Sequence, residues 1–386
     1  MKVFKLIFKN LLRHKLRTSL TILGITIAVM SFTLLSTIIT AWYASVEASA
    51  QNRLITRHSV SFVFPLPYSY RDQIARIPGV VNVTYANWFQ GVYIDERNFF
   101  PRMAVDVNTF FDVYPEFVPT SKEDFETFKR ERNACIIGQK IAKKYNLKIG
   151  DIVNIRGDIY PDNWQFVVRS IYRGRDKTTD ETQLLFHWEY LNEWIKREWS
   201  GTEGLVGWYV IEVKNQSMIP TVADAVDKHF KNSPAETKTE TEKAFQLGFV
   251  SMSGAIITAI RIVSYIIIGI ILLVLANTMI MTARERVREY AVLKTLGFST
   301  GHLLGLIAGE SLTIAVTGGI LGLWLAFPLS AGIAEQFSTL FPVFTVEPST
   351  MILAGSFSLI VGIISAIFPM LRAMHTSIVD GLRQIG

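Results

Sequence analysis

The chain has 386 residues, of which 49% are hydrophobic and only 19% charged, with a formal net charge of +6. That is too apolar for an ordinary water-soluble domain and too charged for a set of membrane spans alone. The surplus basic residues sit in short segments beside apolar runs, whereas the one long polar segment is nearly neutral, which excludes nucleic acid as a partner.

In chain order, residues 1–17 carry Lys2, Lys5, Lys9, Arg13, Lys15 and Arg17 and no acid. Phe4, Ile7, Phe8, Leu11 and Leu12 recur at helical spacing on another side, which predicts an amphipathic helix in the headgroup layer. Residues 18–46 lack any charge and form the first expected transmembrane helix, ending near the interfacial pair Trp42 and Tyr43. Ala48-Ser49-Ala50 mimics a signal-peptidase site, but the apolar run is about twice the 7 to 15 residues of a signal peptide, so an uncleaved anchor is expected.

Residues 47–243 hold 26 Lys and Arg against 27 Asp and Glu and six of the eight tryptophans, and so read as a folded α+β domain in water. Within it, "SYRDQIARIPGV" reads as a short helix stopped by Pro78-Gly79, and "VVNVTYANWFQGVYI" as strand broken by a turn. "ACIIGQKIAKKYNLKIGDIVNIRG" reads as strand, helix, turn and strand; "WQFVVRSIYR" and "GWYVIEV" alternate like half-buried strands. From Ala244 to Ala283 the only charge is Arg261 and no proline intervenes. Forty helical residues would measure about 60 Å, twice the hydrocarbon thickness of about 30 Å. The expectation is a stalk helix over 244–261 running unbroken into a second span at 262–283; the alternative is a separate helix joined at Ser251 to Gly254.

A loop with a short helix follows at 284–302, then a third span at 303–334, a short outer loop at 335–348, a fourth span at 349–371 and a tail at 372–386. Residues 1–17, 284–302 and 372–386 together carry twelve Lys and Arg against three acids, which places both termini and the 284–302 loop in the cytoplasm and the 200-residue domain outside. The fold class is thus an α-helical membrane protein with four transmembrane helices plus an α+β extracytoplasmic domain inserted between helices 1 and 2.

Neither a phosphate-cradling loop nor a metal-binding His or Cys pattern occurs, and no pair of carboxylates is grouped for acid/base work, so neither a catalytic nor a metal site is expected. Cys135 is the single cysteine, which leaves the redox compartment open. In the third span Gly301, Gly305 and Gly309 form one small-residue stripe and Gly318 and Gly322 begin a second; such stripes let helices approach closely in lipid. One would face span two or four and the other a second copy of the chain. Glu310 lies inside the same span, where a carboxylate needs a partner. Asn277 lies at similar depth in span two, which suggests a Glu310–Asn277 hydrogen bond or a reach to Arg284 as structural glue; a proton relay lacks a second intramembrane carboxylate. The loop segment crowds charge into its first half and places Tyr290, Ala291, Val292, Leu293 and Leu296 in its second, with Gly297 as C-cap and Ser299 as N-cap of the next helix. A mere inside anchor needs only arginines; the added apolar surface points to docking in a groove on another protein.

"NLLRHKLRTSLTILGITIAV", "NTMIMTARERVREYAVLKTLGFS", "GESLTIAVTGGILGLWLA" and "FPMLRAMHTSIVDGLRQIG" resemble the permease subunits of MacB-type ABC transporters, and "CIIGQKIAKKYNLKIGDIV" is similar to the periplasmic core of that family. The family often has Ile where Tyr290 stands. The resemblance implies a homodimer in the bacterial inner membrane that binds no cofactor itself, with ATP and Mg held by a separate ATPase subunit, the permease being no enzyme. Carried over, Arg284, Arg286, Arg288, Glu289, Ala291, Leu293 and Gly297 are ATPase-coupling residues. The expected function is export or mechanotransmission driven from the cytoplasmic side, with a periplasmic adaptor and outer-membrane channel as further partners that the sequence leaves open. A lipoprotein-releasing or cell-division regulator permease is the alternative within the fold, and a non-transporting sensor or outward-facing enzyme the more remote ones.

Overall fold

The computed structural model describes residues 13–96, 98–176, 178–336, 341 and 343–375. The amphipathic helix expected at the N-terminus and the end of the tail lie outside them. The chain divides into two compact units, a helical one made of residues 1–40, 254–335 and 344–386 and an inserted one made of residues 41–253 and 336–343.

Among the described residues of the helical unit, four helices are long and apolar enough to cross a membrane: Lys15–Ala48, Gly254–Glu285, Thr300–Gln336 and Pro348–His375. The third, with 37 residues, measures about 55 Å. In lipid, apolar side chains gain nothing by leaving their surroundings, so contact depends on fit and on hydrogen bonds across helices. Gly318 and Gly322 supply fit: a Cβ on Gly318 would stand 2.7 Å from Ile25 Cβ, and one on Gly322 2.7 Å from the Thr26 carbonyl. This stripe therefore packs on the first long helix, whereas the sequence reading offered span two or four or a second copy of the chain as the partners of the two stripes. Gly301 and Gly305 are exposed and meet no neighbour this closely. Between the third and fourth helices the Ser311 hydroxyl donates to the Gly362 carbonyl at 2.7 Å, and Ser358 donates to the Ala315 carbonyl at 2.6 Å. Gly362 leaves room for Ala315, whose Cβ would lie 2.8 Å from a Cβ there.

The helix expected to run unbroken from residue 244 into the second span is interrupted. Glu242–Met252 ends at Ser253, and the long helix starts at Gly254. Gly248, Ser251, Ser253 and Gly254 crowd weak helix formers into seven residues, and the Ser251 hydroxyl bonds the Gly248 carbonyl, so apolarity alone overestimated continuity here.

The inserted unit is built on an eleven-stranded sheet. Its spatial order is Thr237–Thr241, Arg53–His58, Trp208–Val213, Val80–Trp88, Arg102–Val105, Leu184–His187, Ala134–Gly138, Asn163–Gly174, Ile152–Gly157 and Gly91–Val92, with Phe117–Pro119 pairing off this path with Asn163–Gly174. Most pairs are antiparallel; Ala134–Gly138 runs parallel to Asn163–Gly174, and Leu184–His187 parallel to Arg102–Val105. Asn163–Gly174 alternates buried and open side chains as its sequence predicts. Trp208–Val213, read as half-buried, is covered on both faces: Tyr209 and Ile211 enter one core with Phe89, Phe166 and Phe186, while Trp208 and Val210 enter another with Phe110 and Phe128. Its near-continuous apolar run is the pattern of a strand in the interior of a sheet. Gly79 and Gly150, with φ of +98° and +96°, make the turns that the Pro-Gly and Asn/Gly signals mark.

If Gly318 is the contact that seats the third helix on the first, Gly318→Val should lower the thermal midpoint in detergent, at a cost of about 1 to 3 kcal/mol. Gly305→Ala should leave it unchanged. Equal behaviour of the two variants would remove the contact from the account.

Candidate functional site: the loop helix

The short helix Val287–Thr295 lies between the second and third long helices in the chain. Its end is a Schellman turn: Phe298 N–H donates to Leu293 O at 3.0 Å and Gly297 N–H to Lys294 O at 3.1 Å, with Gly297 at a φ of +87°. The glycine thus caps the helix as its sequence position suggests. Ser299 immediately precedes the third long helix, and its hydroxyl meets His302 Nδ1 at 2.6 Å.

The helix is fastened to the bundle by charge. Arg286 Nη1 donates to Glu310 Oε1 at 2.6 Å, and both side chains are buried, 5% and 6% exposed. Glu310 therefore takes Arg286 as its partner, in place of the expected Asn277 or Arg284, both of which are exposed. Arg286 faces inward where Arg284 does not, and so meets a carboxylate ten residues into the third helix. Two further pairs tie this region to the start of the first long helix and the residues just before it: Arg17 holds Glu285, at the end of the second long helix, with two bonds of 2.8 Å, and Arg13 pairs with Glu289. Lys294 Nζ donates to the carbonyl of Ala373 at 3.2 Å, near the end of the fourth. Inside this frame Tyr290 is buried, and burial, with the Glu310 carboxylate behind it, pushes its phenol up to about 12. The polar end of Tyr290 thus sits beside the ion pair.

The expected coupling residues divide accordingly. Arg284, Arg288 and Gly297 are exposed; Glu289 and Leu293 are half-buried; Arg286 and Ala291 are buried and present no surface to a partner. Val292 and Leu296, 45% and 71% exposed, lie four and eight residues beyond Arg288, so the three share an open face. Both belong to the apolar half of the loop segment from which docking was expected, although neither was among the coupling residues that the resemblance implied. A pocket of about 360 Å3 opens beside it, lined by Arg288, Val292, Leu306 and Ile307 among others. The arrangement suits transmission of force through a clamped helix.

Residues 261–378 match the FtsX-like permease C-terminal family, and residues 18–229 match the MacB-like periplasmic core domain. The chain is 24% identical to an ABC transporter permease of Methanocaldococcus jannaschii, over 97% of this chain and 96% of that one. It is 34% identical to the ABC transporter permease YvrN of Bacillus subtilis over 28% of this chain and 25% of that one. A macrolide export ATP-binding/permease protein, MacB, of Bdellovibrio bacteriovorus is 24% identical over 45% of this chain and 27% of its own length.

Breaking the buried pair from one side should leave a charge without its counterpart. Glu310→Gln is expected to cost about 3 to 5 kcal/mol, read as a fall in thermal midpoint, whereas the double variant Arg286→Met with Glu310→Met should recover most of that loss. Additive losses would show that the two side chains do not depend on each other.

Proposed function

This chain belongs to the MacB-type family of permeases with an FtsX-like C-terminal half, and from that premise we propose that its loop helix is the lever on which a separate ATPase pushes. The chain is a multi-pass membrane protein and a permease subunit of an ABC transporter, and it acts with an ATPase partner. In the proposed arrangement it works as a homodimer in the bacterial inner membrane, with both termini and the loop helix in the cytoplasm and the inserted domain outside. ATP and Mg bind and react in the partner, and this chain contributes no catalytic residue. The output is export or mechanical work on the inserted domain.

The observation that carries this reading is the division of the loop helix into two faces. One face is pinned by Arg286 to the third helix, by Glu289 to Arg13 just before the first, and by Lys294 to the fourth. The other offers Arg288, Val292 and Leu296 to solvent. A push on the open face cannot be absorbed by rotation of a helix held at three points, so it passes to the spans. An apolar pair flanked by arginine suits a groove with an acidic rim on the partner.

Arg288→Glu and Leu296→Asp should each weaken co-purification of the ATPase by about tenfold or more, with thermal midpoint and membrane insertion unchanged. ATPase capture and nucleotide hydrolysis at the unaltered level in both variants would move the contact elsewhere. Leu293→Asp is a poor probe, because Leu293 packs against the bundle.

A further inference from the structure

The inserted unit contains a cavity of about 800 Å3, within the size range of sites that enclose a small molecule. Part of its wall is aromatic, formed by Trp42, Phe110, Phe117, Trp208, Phe245 and Phe249. Another part is ionic. Arg53, 5% exposed, meets Glu116 Oε1 at 2.6 Å and Glu242 Oε2 at 2.7 Å, donates to the Val113 carbonyl at 3.1 Å, and lies 4.2 Å from the centre of the Tyr114 ring. One guanidinium here stands against two carboxylates. Burial alone would push Arg53 down, yet the two carboxylates hold it above the usual arginine range. Glu242 is fully engaged, accepting also from Tyr114 and from the Ala50 N–H. Glu116 is the member of the trio that stays partly open, 24% exposed. Arg175, Asp176 and Asp180 line the same cavity and keep its ionic wall richer in carboxylates than in guanidinium groups.

The segments that line the cavity also say where an occupant comes from. Ala41, Trp42 and Ala44 belong to the first membrane-crossing helix, and Phe249, Val250 and Ser253 directly precede the second. Phe341 and Val343 lie in the connection between the third and fourth. Three stretches of chain that enter the bilayer thus contribute to one aromatic and acidic chamber.

We propose that this cavity binds one cationic amphiphile taken from the membrane interface, its apolar body against the aromatic wall and its ammonium group beside Glu116. An anionic head would face a surplus of carboxylates, and a purely apolar molecule would leave the ionic wall without use for its charge. The site goes beyond ATPase coupling and does not rest on it.

The test uses the full chain alone in phosphatidylcholine nanodiscs, with an octadecylammonium probe carrying a mid-chain diazirine and a matching probe with a sulfate head. After illumination, peptide mass spectrometry should place adducts in segments 103–117 and 242–253, with the ammonium probe giving about tenfold more than the sulfate. Ala44→Trp and Met103→Trp, at two positions that line the cavity, should each remove most of these adducts without lowering the thermal midpoint, and Glu116→Gln should erase the preference for ammonium. Adducts confined to the four spans, or unchanged in both filling variants, would overturn the cavity as the site. Equal labelling by the two heads would overturn the charge preference. No ATPase is present, so the outcome is separate from that of the co-purification experiment.

Discussion

Glu310 is a carboxylate ten residues inside a helix built to lie in lipid, and the arrangement of the loop helix depends on how that charge is met. A lone carboxylate there costs several kcal/mol, and one cation at hydrogen-bonding distance offsets most of that. Arg286 is that cation, at 2.6 Å. Since Arg286 stands at the entrance to the loop helix, the pair decides which side of the helix turns inward. Tyr290 and Ala291 follow it into the bundle, and Arg288, Val292 and Leu296 are left outside. The pairs from Arg13 and Arg17 to Glu289 and Glu285 lie in more exposed surroundings and add orientation more than energy.

Around this pair the bundle relies on small and hydroxylated residues. Gly318 and Gly322 let the first helix approach the third, and Ser311 and Ser358 spend their hydroxyls on carbonyls of neighbouring helices. The inserted domain uses a different device. Strands such as Trp208–Val213, covered on both faces, are apolar almost throughout, whereas Asn163–Gly174 and Ile152–Gly157 alternate. Two solvents are written into one chain as two different ways of closing a core.

Much of this was legible in the residues. Uncharged runs locate the four spans because a bilayer needs about 20 apolar residues and tolerates few charges, and turn signals such as Pro78-Gly79 locate the elements of the inserted domain. The break at Ser253 was less legible, since a run free of charge and proline says nothing about weak helix formers clustered in one turn. The partner of Glu310 was not legible either. Arg284, Arg286 and Asn277 all lie within reach by helical rise, and the choice among them depends on the turn of a helix after a one-residue interruption at Arg286. For the same reason the expected coupling and docking residues were drawn from both sides of the helix. Arg286, Tyr290 and Leu293 make one mixed basic and apolar stripe, and Arg288, Val292 and Leu296 make another; composition does not distinguish them, and only the tertiary position of Glu310 does.

The split character of the loop helix has an evolutionary and engineering consequence. Its inner residues answer to three other helices of the same chain, so Tyr290, Arg286 and Glu289 are free to change only together with Glu310 and Arg13. Its outer side chains, Arg288, Val292 and Leu296, stand exposed among the described residues. A cell holding several such permeases could therefore keep each one faithful to its own motor by drift in three side chains, and a designer could reassign a permease to a different motor by grafting those three and leaving the scaffold beneath untouched.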